Sequence, residues 1–470
     1  MFEFIDLKFS VLGLARSGKA AAKKLKELGN TPFISENTPL EKLEISNDFL
    51  QNFSYEVEGH TDKVLDADVI VISPGIPLNI EILQKAREKK IPIWSELELG
   101  YQILKKNNAK LIAVTGSNGK STTVSLIHHI LRNAKKRSIL AGNIGNPLTS
   151  FPIEKDIFDF IVVEVSSFQL DTIHDFKPDI AILLNITPDH LNRYDSFADY
   201  KLSKLRIFEN QNPAEHQSFD IESEKVAHES LRVKNIGIIN LDNAVCNDIY
   251  IKNSRNKLPY SVEKKVNPYV FLQNEKLFIK DLKDNVVEIP LNKIPLKGKY
   301  NYSNISAASL SLINCGLSAN EIKQGILSFS GLEHRLEIVK IINDVIYVND
   351  SKATNSDSVR CALDAFINPI NLIMGGSDKN EDFSGLKSLI KEKVQNLIVL
   401  GETKEKLETT FGDVTKVFGV EDLRDAVEKG KSLAKQGDVV ILSPGCASYD
   451  MFKNFEHRGK IFKKIVNDLE

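Results

Sequence analysis

The stretch Ile112–Thr122, Ile-Ala-Val-Thr-Gly-Ser-Asn-Gly-Lys-Ser-Thr, constrains this chain more than any other. Apolar residues lead into a glycine loop. After it, Val124, Ile127, Ile130 and Leu131 recur at helical spacing on one face. Strand, loop and helix in that order predict an α/β core. Gly116 and Gly119 let the backbone curl so that the N–H groups of the loop, through Ser117 and Asn118, face a phosphate. The helix beginning near Ser121 adds its positive N-terminal end. Lys120 can neutralise β- and γ-phosphate oxygens, and Ser121 or Thr122 can place a hydroxyl on Mg²⁺. Val114 stands where the common phosphate loop has its first glycine, so this is a shortened variant. A turn that merely carries Gly-Lys is the alternative, and the strand-to-helix context argues against it.

A chain of 470 residues exceeds one core, and about three domains are expected. A net charge of -2 creates no global field toward nucleic acid or an anionic membrane, and no apolar run approaches a membrane span. Cys246, Cys315, Cys361 and Cys446 are far apart, which predicts reduced thiols in a cytoplasm, with neither a zinc site nor a disulfide framework. Glu3 and Asp6 stand where a signal peptide would be basic, so no leader is expected.

Along the chain, Phe9–Leu12 reads as a strand running into Gly13-Leu14-Ala15-Arg16-Ser17-Gly18 and a helix. This turn reads either as a nucleotide-diphosphate site of Rossmann type, with Ala15 replacing the middle glycine, or as a plain βα turn. Glu36 follows the next strand, where such folds set a carboxylate against a ribose or base. The turn Ser73–Pro77 ends the strand Val69–Ile72 and is either structural or a ligand edge. The loop Ala141–Pro147 offers free amides. Glu164 ends the apolar strand Phe160–Val163, and a carboxylate there needs either Mg²⁺ or a buried ion pair. Asp189 and His190 follow the strand Ile180–Leu184. On pattern alone, Lys204 in the helix Tyr200–Phe208 is a solvated lysine. Residues 212–233 read as a polar surface excursion. Asn301 and Asn304 share a helix face, either to read an adenine edge or to cap. In the last third, three strands end in the polar clusters Asn349–Asn355, Gly375–Lys379 and Ser443–Ser448, a candidate site for an anionic small molecule.

Taken together, these motifs resemble those of the Mur ligases over essentially the whole chain. The resemblance rests on Thr115–Ser121, on Glu164 in Glu-Val-Ser-Ser-Phe-Gln-Leu, and on Asn185-Ile-Thr-Pro-Asp-His190. It rests further on Gly331-Leu-Glu-His-Arg335 and Asp350-Ser-Lys-Ala-Thr-Asn355. Ser166–Gln169 and the run from Ser443 through Phe455 to Gly459 are most similar to the D-glutamate-adding branch. The resemblance implies three α/β domains. Residues 1–98 form a Rossmann-like domain for UDP, 99–331 a central ATPase-like domain, and 332–470 a Rossmann-like domain for the incoming amino acid.

It further implies that residues Gly116 to Thr122, Asn301, Asn304, Arg335 and Asp350 meet ATP. Ser121, Glu164, His190 and a carbamylated Lys204 are implied to hold Mg²⁺, as two ions. Leu14, Arg16, Ser17, Glu36, Gly75, Asn143, Gln169 and His190 are implied to contact a UDP-N-acetylmuramoyl-L-alanine substrate. Lys352, Thr354, Lys379, Ser448 and Phe455 are implied to form the D-glutamate site. Lys120, Glu164, His190 and Lys204 are the expected catalytic set. The implied reaction is ATP-dependent amide formation through an acyl phosphate, in a cytoplasmic monomer that makes peptidoglycan precursor and binds neither nucleic acid nor membrane. A folylpolyglutamate-synthase-type ligase is one rival, although it normally lacks a separate N-terminal domain. Another is a P-loop switch or motor, which needs no amino-acid site.

Overall fold

The computed structural model describes residues 6–43, 47–105, 107–152, 156–189, 193–211, 235–378 and 380–469. The chain divides into two compact units, Met1–Glu288 with Ser306–Gly325, and Ile289–Ile305 with Ile326–Glu470.

The first unit holds two parallel sheets. One is built from β1 (Phe9–Leu12), β2 (Phe33–Ser35), β3 (Tyr55–Glu56), β4 (Val69–Ile72) and β5 (Ile93–Ser95), in the order β3-β2-β1-β4-β5. The other uses β6 (Lys110–Thr115), β7 (Ser138–Gly142), β8 (Phe160–Glu164), β9 (Ile180–Leu183), β10 (Ile236–Asn240) and β11 (Lys257–Tyr260). Its order is β11-β10-β9-β6-β8-β7. A small sheet, β12 (Val270–Gln273), β13 (Lys276–Lys280) and β14 (Val286–Pro290), follows them.

The second unit holds β15 (Glu337–Ile342), β16 (Val345–Asn349), β17 (Ile370–Gly375), β18 (Val394–Leu400), β19 (Lys416–Gly419) and β20 (Val439–Leu442). Their order is β15-β16-β20-β17-β18-β19, with only β15 antiparallel.

The strands are apolar on both faces because helices cover both faces. Alternate residues feed opposite cores. Val11, Val69 and Val71 pack with Ile34 and Trp94 on one side of the first sheet, while Leu12, Ile70 and Ile72 pack with Leu83 on the other. In the second unit's sheet Leu372, Met374 and Ile441 face one core, and Ile373, Val440 and Leu442 the other. Strand order reverses beside β1, beside β6 and around β20. Crevices for ligands open outside the carboxyl ends of strands at such points. The polar clusters 350–355, 375–378 and 443–448 follow β16, β17 and β20, which are neighbours in their sheet.

Candidate active site

The glycine loop joins β6 to the helix Lys120–Asn133, whose N-terminal cap is Gly119 at φ +85. That left-handed conformation favours glycine. At Gly116 a Cβ would lie 3.1 Å from the Leu184 Cβ. The loop is pinned to the end of β9. Ser117 Oγ donates to Thr187 O at 2.9 Å and accepts from Thr187 N at 2.9 Å. Asn118 N donates to Asn185 Oδ1 at 2.8 Å, and Asn185 Nδ2 returns a bond to Asn118 O at 3.1 Å. Lys120 Nζ donates to Gly116 O (2.7 Å) and Ser117 O (2.8 Å), so the cation lies over its own loop. Ser121 and Thr122 are buried at the helix start.

Lys204 corrects the reading from pattern alone. The helix Phe197–Leu205 turns Tyr200, Ser203 and Lys204 inward together, and Lys204 is 2% exposed. Its Nζ donates to Gly116 O at 2.9 Å and lies 4.6 Å from the Tyr200 ring centre. Burial, and then the neighbouring Lys120 charge, hold its pKa well below the ordinary lysine value, against the pull of Asp189, Asp171 and Glu164. The neutral amine is favoured there. The i, i+3, i+4 spacing of Tyr200, Ser203 and Lys204 was the available signal.

Glu164 is the last residue of β8 and is 2% exposed. Its Oε1 accepts from Asn143 Nδ2 at 2.7 Å. Its Oε2 is buried without a hydrogen-bond partner, and among the described residues Glu164 makes no ion pair. An orphaned buried carboxylate oxygen is costly, and a divalent cation is the partner it fits. Among the described residues no ion pair answers this carboxylate.

On the first sheet, Gly18 lies so close to Gly13 that an added Cβ would come within 1.8 Å of the Gly13 carbonyl oxygen. Glu36, 9% exposed, accepts from Leu14 N at 2.6 Å and from Thr38 N at 2.9 Å. Burial raises its pKa, but the bonds from Leu14 and Thr38 outweigh this and leave it below the usual value. Arg16 Nη2 donates to Asn143 O at 3.2 Å, joining this turn to the second sheet's loop. Ser17 is half-buried in the first helical turn, and Gly75 is exposed. Gln169 is buried, with its Oε1 accepting from Ser166 N and Oγ in a capping box. His190 lies outside the described residues.

The second unit gathers the remaining predicted residues. Asn301, in the first turn of the helix Lys299–Asn314, donates to Lys297 O at 2.8 Å, in the segment just before that helix. Asn304 is 1% exposed, with Nδ2 unpartnered. Asp350 is buried. Its Oδ2 accepts from Ser443 Oγ at 2.9 Å and its Oδ1 from Leu336 N at 3.2 Å. Burial lifts its pKa to about 7, against the Ser443 bond and the Arg335 charge. Arg335 Nε is buried without a partner. Lys352 Nζ sits 5.1 Å from the Phe455 ring centre, Thr354 is half-buried, and Ser448 is 2% exposed. Lys379 lies outside the described residues.

Sequence reasoning missed Arg458. Its guanidinium, 2% exposed, donates to Ser351 Oγ and O and to the carbonyls of Cys446 and Ala447. It thereby ties the β16 and β20 loops together. The helix Phe455–Asn467 buries it beside Gly459 and Phe462, but nothing in the sequence names its partners.

Residues 8–82 of this chain match the MurD N-terminal domain, 114–312 the Mur ligase middle domain, and 334–446 the Mur ligase, glutamate ligase domain. The chain is 38% identical over 467 residues to the UDP-N-acetylmuramoylalanine–D-glutamate ligase of Cytophaga hutchinsonii, covering 98% of this chain and 99% of that one. It is 36% identical over 471 residues to the protein of the same name from Salinibacter ruber, covering 98% and 97%. Among solved structures, the MurF ligase of Thermotoga maritima in complex with ADP is similar at TM-score 0.60 and 15% identity, over 99% of each chain. UDP-N-acetylmuramate–alanine ligase from the same organism is similar at TM-score 0.58 and 17% identity, over 98% of this chain and 99% of that one.

Proposed function

This chain belongs to the Mur ligase family, and from that premise we propose that it is an ATP-dependent ligase adding D-glutamate to UDP-N-acetylmuramoyl-L-alanine in peptidoglycan precursor synthesis. What carries the reading is a combination found in one chain similar end to end to D-glutamate ligases. A phosphate loop stands beside a buried Lys204 and an unpartnered Glu164, and a separate polar cluster surrounds Asp350. The match over 8–82 falls in the segment that a folylpolyglutamate-type ligase normally lacks. In this reading residues 1–98 bind UDP, 99–331 bind ATP, and 332–470 bind the amino acid. The enzyme is taken to be a cytoplasmic monomer, and its four cysteines are free thiols, as suits a reducing compartment.

A carboxylate is a poor electrophile. Its oxygen attacks the γ-phosphorus, ADP leaves, and an acyl phosphate results. The approach of two anions is opposed by charge, which Lys120 and the loop amides offset; losing one such preorganised group typically costs about 10²–10³ in rate. To reach the phosphates, Lys120 exchanges its bonds to the Gly116 and Ser117 carbonyls for bonds to ATP. Mg²⁺ would be held by Glu164, Ser121, His190 and Lys204, and when bound would neutralise phosphate charge. The orphaned Glu164 oxygen supports that donor set. A neutral Lys204 amine can attack CO₂, forming an N–C bond and releasing one proton. The carbamate supplies oxygen donors where an ammonium would repel a cation. Asn301, Asn304, Arg335 and Asp350 are assigned to the nucleotide. Lys352, Thr354, Lys379, Ser448 and Phe455 are assigned to D-glutamate, whose neutral amine attacks the acyl carbon. Phosphate leaves, and the amine's proton passes to a base, for which His190 is the candidate.

The acyl phosphate is tested with substrate carrying ¹⁸O in the alanine carboxylate. Each turnover transfers one ¹⁸O to the released phosphate. Phosphate free of the label would reject this chemistry.

A further inference from the structure

Arg193 has no role in the account above, yet it joins three strand ends of the first unit. It follows β9, and its guanidinium reaches the turn after β4. There Nη2 donates to Pro74 O (2.7 Å) and Ile76 O (2.7 Å), and Nη1 to Gly75 O (3.0 Å). Its Cζ also lies 4.4 Å from the centre of the Phe168 ring, in the short helix after β8. Phe168 in turn stacks on Tyr194 at 5.9 Å and 16°. A planar fork that also stacks is a task for arginine, which a lysine ammonium cannot reproduce.

Directing these carbonyls to one side has a consequence for the other. In a trans peptide the N–H points opposite to the C=O. Pro74 and Pro77 have no N–H, and the Ile76 N–H is spent on Ser73 O at 3.0 Å. Among the described residues the Gly75 N–H therefore remains, and as the N–H of the Pro74–Gly75 peptide it points opposite to the Pro74 carbonyl and so away from the guanidinium. Gly75 is exposed, and a Cβ added there would meet nothing within 4 Å, so no described neighbour crowds the turn at this residue. The turn is further held to the glycine turn after β1 by Ser73 Oγ donating to Gly13 O at 3.0 Å. Among the described residues it is Arg193 that holds the negative ends of these peptide dipoles on its own side of the turn.

We infer that Arg193 is a positioning residue for the UDP-linked substrate, fixing the Ser73–Pro77 turn so that the Gly75 N–H faces an anionic group of that substrate. The inference rests on the proposed assignment of Gly75 to the UDP-substrate site.

The test compares full-length wild type, R193K and R193M, by calorimetric binding of UDP-N-acetylmuramoyl-L-alanine and by steady-state kinetics for all three substrates. In R193M, Kd and KM for the UDP substrate rise at least tenfold, while KM for ATP and for D-glutamate stays within twofold. R193K, which keeps one charge but loses the fork, lies between, and it carries the test if R193M does not fold. Unchanged affinity for the UDP substrate in both variants overturns the inference. So do equal losses for ATP and the UDP substrate, which mark a merely structural role. A wild-type protein that fails to bind the UDP substrate overturns the functional reading and this inference with it.

Discussion

Replacing Asp350 by asparagine should stabilise the second unit, and increasingly so as pH rises. The carboxyl is buried and bonded to Ser443 Oγ and Leu336 N, and among the described residues it makes no ion pair. Its pKa is raised from 3.8 to about 7, chiefly by burial. In the unfolded chain the acid ionises near pH 4; in the folded chain it holds its proton to about pH 7. Between those values the folded state binds more protons, so stability falls as pH rises through the window and levels off above it. From pH 5 to pH 8 this one group removes about 2.5 kcal/mol. The amide introduced by D350N has the shape of the protonated acid and does not titrate, so the variant lacks that loss. The assay is urea-dependent hydrogen exchange of peptides from β16 and β20 at the two pH values. The advantage of D350N over wild type should widen by about 2.5 kcal/mol between them. Parallel behaviour of the two proteins across the range would refute the argument, because it would mean that Asp350 is ionised throughout.

The K204M variant should lose about 10²–10³ in kcat. Removing CO₂ from wild type should lower activity reversibly, and ¹³C-bicarbonate should give a carbamate resonance that K204M lacks; no such resonance, with activity indifferent to CO₂, would rule out the modification. At Glu98, 0% exposed, the carboxylate accepts from the amides of His174, Asp175 and Phe176 and from Gln102 Nε2. E98Q sets an NH₂ against donors and should cost about 2–4 kcal/mol, read as a lower urea midpoint from the single tryptophan, Trp94. An unchanged midpoint would contradict the bonding pattern.

The phosphate-loop half of the candidate site was legible where its geometry is encoded locally. Gly116, Gly119 and Lys120 are set by the loop itself, and Glu164 stands out as an acid ending an apolar strand. The clusters after β16, β17 and β20 were visible as polar residues at strand ends, and their adjacency follows from the sheet order. What stayed hidden depends on partners distant in sequence. Periodicity shows that Lys204 shares a face with Tyr200, but not that this face meets the phosphate loop 88 residues earlier. The role of Glu98 as an acceptor cannot be read from its own segment, because it is set by amides 76–78 residues away. The partners of Arg458 and Arg193 are likewise distant in sequence, so no role could be read for either. The expectations for His190, Lys379 and the excursion at 212–233 concern positions outside the described residues.

The central claim is that this chain couples ATP cleavage to joining D-glutamate to UDP-N-acetylmuramoyl-L-alanine. Phosphate release from ATP and Mg²⁺ tests it most directly, measured with the UDP substrate and D-glutamate, with L-glutamate in its place, and with each component omitted. The account predicts sustained release only when the UDP substrate and D-glutamate are both present, with one amide product per phosphate. Release that ignores the UDP substrate, or that L-glutamate supports equally well, would contradict it.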